Sequence, residues 1–187
     1  MQNIDQYPLV KDAEGDSLRW YFISQGERSI IKVVDYSLIS SVEGRPVYNL
    51  AFGDIEEGGF VNDRSRSNNG DIYKIFNTIL FTTTLFFDHV PDALVFVSGS
   101  DSQEVSELPC RNTCRDKRCK SACRLLHQRI NAYSGFVRRN YTALATKYLF
   151  LGWPKGKVLD EINPYAFEPF SPQGDYQALM VLQDAKR

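Results

Sequence analysis

"RWYFISQGERSIIKVVDYSLI", residues 19–39, decides how the rest of the chain is read. It falls into two runs, 19–24 and 29–39, both rich in Ile, Val, Phe and Tyr and separated by "QGER". Branched and aromatic side chains suit a pleated, half-buried surface, and the glycine in the gap permits a reversal, so the pair reads as a β-hairpin. A turn signal, "SVEGRP", leads into "PVYNLAFGDI" at 46–55, where Val47, Asn49, Ala51 and Gly53 alternate with Tyr48, Leu50 and Phe52. Period two sends the two sets to opposite faces, which makes this the third strand of an antiparallel meander.

On either side of the meander the signals change. Residues 1–18 are polar and read as an arm that becomes ordered only near Trp20. Residues 56–70 read as a polar loop ending at a helix start, where Asn68, Asn69 or Asp71 can accept hydrogen bonds from the first turn. From Asp71 to about His89 the residues Ile72, Ile75, Phe76, Ile79, Leu80, Leu85 and Phe86 recur at helical spacing, and Pro91 ends the helix. "ALVFVS" at 93–98 is a continuously apolar strand followed by a Gly-Ser turn. A second amphipathic helix carries Leu125, Leu126, Ile130, Tyr133, Phe136, Val137 and Leu144, with a bend or break expected near Gly135. "KYLFLGW" reads as a strand, the proline-rich residues 163–175 as loop, and "YQALMVLQDA" as an edge strand or a short helix. This order implies one α+β domain over 1–187, with two helices on one face of a mostly antiparallel sheet.

Composition narrows the class. With 43% apolar residues, 12 Phe, 10 Tyr and 2 Trp, the chain can build its own core without a disulfide scaffold. A net charge of -1 gives no overall attraction to nucleic acid or anionic lipid. No apolar run suits a membrane span and residues 1–17 do not resemble a secretory signal, so the expected location is the cytoplasm, away from membranes.

The stretches "YFISQG", "IIKVVDYSLI", "VYNLAFGD", "SNNGD", "ALVFVSGS" and "RLLHQRI" resemble a bacterial domain-of-unknown-function family whose members carry FIS-G, NLAFGD, SNNGD and a strand-GS turn. The resemblance runs over about residues 20–150 and implies a small α+β domain. It also implies that residues 101–123, between the GS turn and the second helix, are an insertion.

All four cysteines lie in that insertion, spaced C-x3-C-x4-C-x3-C at Cys110, Cys114, Cys119 and Cys123. On one continuous helix, at about 100° per residue, the two pairs would face opposite ways. If the chain turns at Arg115–Arg118 they converge as a helical hairpin, and the expected cofactor is zinc on four thiolates. The neighbouring Arg111, Arg115, Lys117, Arg118, Lys120 and Arg124 would offset the excess negative charge. Free thiols, nested disulfides (Cys110–Cys123 and Cys114–Cys119) and an iron–sulfur cluster remain open alternatives.

A second candidate site is built from loops: Asp54 after the third strand, Asn68, Asn69 and Asp71 at the first helix, Gly99 and Ser100 after the central strand, and Arg124. Glycine turns and a helix start can present N–H groups to an anion, although ordinary caps and turns use the same residues. No P-loop, nucleophile elbow or zincin motif occurs. Three expectations follow. The first is a binding or regulatory module acting through a protein partner or as a homo-oligomer, in a bacterial defence or toxin–antitoxin setting. The second is a nucleotide-binding protein or enzyme using Asp54, Asn68–Asp71 and Gly99–Ser100. The third is a zinc-stabilised nucleic-acid-binding protein using Arg111, Arg115, Lys117 and Arg118.

Overall fold

The computed structural model describes residues 5–14, 17–55, 61–62, 69–99, 127–157 and 162–184. Residues 101–123, read from the sequence as an insertion with four cysteines and basic residues, lie outside them, as do Asn68, Ser100 and Arg124. The chain divides into two compact units, 1–95 and 96–187. The fold is mixed, with two helices among the described residues, and every strand pairing described within either unit is antiparallel. No described helix is long and apolar enough to cross a membrane.

In the first unit β1 (Val10–Glu14), β2 (Ser17–Gln25), β3 (Ser29–Val42) and β4 (Arg45–Ile55) form a meander, and β5 (Val61–Asn62) pairs the end of β4. The three strands read from the sequence are β2, β3 and β4. Cross-strand partners share a face, so Trp20, Val34 and Phe52 line up, as do Tyr36 and Leu50. Against this face lies α1 (Ile72–His89), whose Phe86 stacks on Tyr36 at 4.4 Å between ring centroids.

Two expectations are corrected here. The amino-terminal arm does not wait for Trp20: β1 pairs β2, Val10 opposite Tyr21, and Tyr7 is only 4% exposed. Backbone pairing satisfies a polar segment as well as an apolar one, and a single buried aromatic anchors the residues before it. The buried face of α1 keeps Ile75, Phe76, Ile79 and Phe86 of the expected stripe but differs from it at the edges. Ile72 is half exposed, while Thr78, Thr82 and Thr83 are buried. Each threonine hydroxyl donates to a carbonyl three or four residues back, and Thr82 and Thr83 also bond the Tyr36 hydroxyl, at 3.1 and 2.9 Å. With their polar atoms satisfied, the threonines pack as small branched side chains.

In the second unit α2 (Gln128–Leu144) runs without a break through Gly135 and buries Ile130, Ser134, Val137 and Leu144, a seam at i, i+4, i+7 and i+14. Gly135 has open space around it, so its small size is not used to bend the helix. β7 (Tyr148–Pro154) pairs both β8 (Glu168–Pro169) and β9 (Tyr176–Gln183). The last segment is therefore a strand and not a helix, and Ala178–Val181 are buried in succession, unlike a solvent-facing edge. The central apolar strand is β6 (Leu94–Ser98), and the boundary between the units falls within it.

Candidate functional site

The polar residues of the sequence motifs converge in the first unit, at the end of β2 and the start of α1. β2 places Trp20, Phe22 and Ser24 on one face by its alternation, so the serine of the FIS-G stretch points toward the helix side, fully buried. Gly26 follows in the turn to β3, and its close approach to Asn69 allows the Asn69 carbonyl to accept from Glu27 N–H at 3.2 Å. The Asn69 amide then closes the loop. Its Nδ2 donates to Arg28 O and to Ser24 Oγ, and its Oδ1 accepts from Arg28 N–H, all at 2.8 Å.

Asp71 is the centre of this network. Tyr7 Oη and Ser24 Oγ both donate to its Oδ2 at 2.6 Å, and Tyr7 Oη accepts from Gln25 N–H at 3.0 Å. Its other oxygen, Oδ1, is buried and accepts no hydrogen bond among the described residues. Asp71 occupies the position before α1 yet makes no capping bond to the helix, which corrects the expectation that Asn69 and Asp71 serve as caps. Both side chains are spent on the β2–β3 turn and the arm. Asp54, the third described candidate, is held differently: its Oδ1 lies 2.5 Å from Lys32 Nζ, and Lys32 is 2% exposed.

Tyr7, Ser24 and Lys32 were not singled out from the sequence, and Gly26 was read only as the glycine of the hairpin turn. A Tyr in a polar arm, a Ser ending an apolar strand and a Lys within "IIKVV" carry no spacing signal, and only the register places Lys32 opposite Asp54 and Phe22. Beside the network opens a pocket of about 300 Å³, lined by Asp5, Tyr7, Gln25, Gly70, Asp71, Tyr73 and Lys74. Lys74 Nζ is 2.9 Å from Asp5 Oδ1 and 4.5 Å from the Tyr7 ring centroid. Among the described residues no group of three or more His, Cys, Asp and Glu is placed to hold a metal.

Electrostatics follow from these contacts. Burial acts to raise the pKa of Asp71, but the Ser24 and Tyr7 donors, its own N–H and the charge of Lys32 outweigh burial and hold the carboxyl below its ordinary value. Tyr7 moves upward, first from burial and then from the adjacent carboxylate. A group whose folded pKa is depressed contributes stability that is present above its unfolded pKa, about 4, and lost as pH falls through the folded value. Asp71→Asn is therefore expected to flatten the acid limb, so that urea-derived ΔG falls less between pH 5 and pH 2 than in the wild-type chain. An unchanged acid limb would remove Asp71 from that role.

A family model described as a family of unknown function, DUF6934, matches residues 3–106. The match takes in the arm, the meander, Asn69–Asp71, α1 and β6, and ends at residue 106, before the first cysteine. No curated protein and no solved structure shows significant similarity to the chain.

Proposed function

The chain belongs to the DUF6934 family of unknown function, and from that premise we propose that its family-matched part is a binding module whose recognition site is the pocket beside Asp71. The observation that carries this reading is the division of labour around the pocket. Ser24, Gly26 and Asn69 hold the β2–β3 turn against the start of α1, while Tyr7, Asp71, Tyr73 and Lys74 present polar and aromatic surface to the opening. Ser24 is enclosed and its proton is directed to Asp71, which suits a wall more than an attacking group. Convergent polar groups in a preformed concavity are the ordinary form of a small-ligand or side-chain site. An amide-resolved NMR screen of a fragment library against the full chain tests this. Saturable shifts clustered at Gln25, Gly70, Asp71, Tyr73 and Lys74 support the module, and shifts confined to other surfaces would sink it.

The cysteine stretch supports a separate proposal, which rests on its spacing alone: one zinc ion held by Cys110, Cys114, Cys119 and Cys123. Protein purified without chelator should then carry close to one zinc per chain and lose it on Cys114→Ser. Less than about a tenth of an equivalent, with all four thiols titratable, would leave free thiols as the answer.

A further inference from the structure

We infer that the pocket beside Asp71 takes an organic cation, an alkylammonium or guanidinium head, a reading that rests on the binding-module proposal and gives it a ligand class. Three observations converge on this chemistry. The pocket already holds an ammonium from its own chain: Lys74 Nζ sits between the Asp5 carboxylate, at 2.9 Å, and the face of the Tyr7 ring, at 4.5 Å. A carboxylate with an aromatic face is how proteins bind such heads, and here a chain-borne one shows that the combination works. Second, Lys32 is engaged with Asp54 and Lys74 with Asp5, while Asp71 makes no ion pair among the described residues. Third, Asp71 lines the 300 Å³ space and its buried Oδ1 accepts no hydrogen bond among the described residues, while Tyr73, 61% exposed, adds a second aromatic ring to the lining. An anion entering the same space would meet the carboxylates of Asp5 and Asp71, and Lys74, the one cation among the described lining residues, is already paired with Asp5. Phosphate-bearing ligands are disfavoured there even though the pocket adjoins a helix start.

The experiment is an amide NMR titration of the full chain at low salt with agmatine, with a short arginine-containing peptide, with Nα-acetylcitrulline amide as the uncharged control, and with inorganic phosphate. Agmatine or the peptide should give saturable shifts at Gln25, Gly70, Tyr73 and Lys74, and Nα-acetylcitrulline amide none. Lys74→Gln removes the internal competitor for Asp5 and should tighten cation binding three-fold or more. Asp5→Asn, at a solvent-facing position, should weaken it by a similar factor while leaving the rest of the spectrum in place. Tighter binding of the peptide assigns the head to a polypeptide partner, and tighter binding of agmatine assigns it to a free small cation. Weaker binding in Lys74→Gln, or no saturable response to either cation in that variant, overturns the inference. Phosphate saturating the same amides also overturns it but keeps the binding module, whereas silence at these amides toward the whole fragment library removes both.

Discussion

Asp54→Ala is expected to lower the folding stability of the chain by about 3 kcal/mol, the usual scale when one partner of an enclosed ion pair is removed. Lys32 lies near the start of β3 with Phe22 of β2 on one side and Asp54 of β4 on the other, and its ammonium is 2.5 Å from Asp54 Oδ1 and 5.4 Å from the Phe52 ring centroid. Only 2% of Lys32 is exposed, so solvent cannot replace the carboxylate without opening the sheet. Asp54→Asn retains an oxygen acceptor and should cost roughly half as much. The double change Lys32→Met with Asp54→Leu should recover most of the loss, because well-packed apolar side chains carry no desolvation penalty. Urea denaturation followed by Trp fluorescence measures all three. A loss below about 0.5 kcal/mol for Asp54→Ala would show that the ammonium reaches water in the variant and that the pair contributes no more than a surface bridge.

The meander was legible because alternation and turn residues are local signals. "NLAFGD" declares its two faces within one strand, and Glu43 and Gly44, both at positive φ, make the tight turn that "SVEGRP" announced. The helix from Asp71 to His89 was legible in extent, with its first helical residue observed at Ile72, and its buried face was legible at Ile75, Phe76, Ile79 and Phe86 but not at its threonines. Thr78, Thr82 and Thr83 read as polar until their hydroxyls are seen to be satisfied by carbonyls of the preceding turn. The arm was misread for a related reason, since Tyr7 is fixed by partners at Gln25, Asp71 and Thr78, far along the chain. The candidate site was half legible. Asp54, Asn69 and Asp71 were flagged by type and by nearby glycines, and the structure places all three in polar contacts with β2 or β3. Their partners Ser24, Lys32 and Tyr7 were not flagged, because a residue's role as a partner depends on register and long-range closure, neither of which has a sequence period.

Gly26→Ala should be nearly as costly as Asp54→Ala, about 3 kcal/mol, although it adds only one methyl group. A Cβ at Gly26 would fall 1.6 Å from Asn69 O and 2.7 Å from Asn69 C, both backbone atoms. Relief requires the segment at Asn69 to withdraw, and that segment carries the Glu27 N–H bond, the Arg28 clamp and, two residues on, the Asp71 carboxylate. The natural control is Gly44→Ala. Gly44 has φ +77 and open space around it, so that substitution meets backbone strain alone and should cost only about 1 kcal/mol. The two variants thus separate close approach from conformational freedom as reasons for a glycine. Gly26→Ala should also shift the amide resonances of Gly70 and Asp71 and weaken whatever binds the pocket, whereas Gly44→Ala should leave both unchanged. Equal, small losses for the two would mean that the β2–β3 turn does not close on Asn69, and the wall of the proposed site would lose its support.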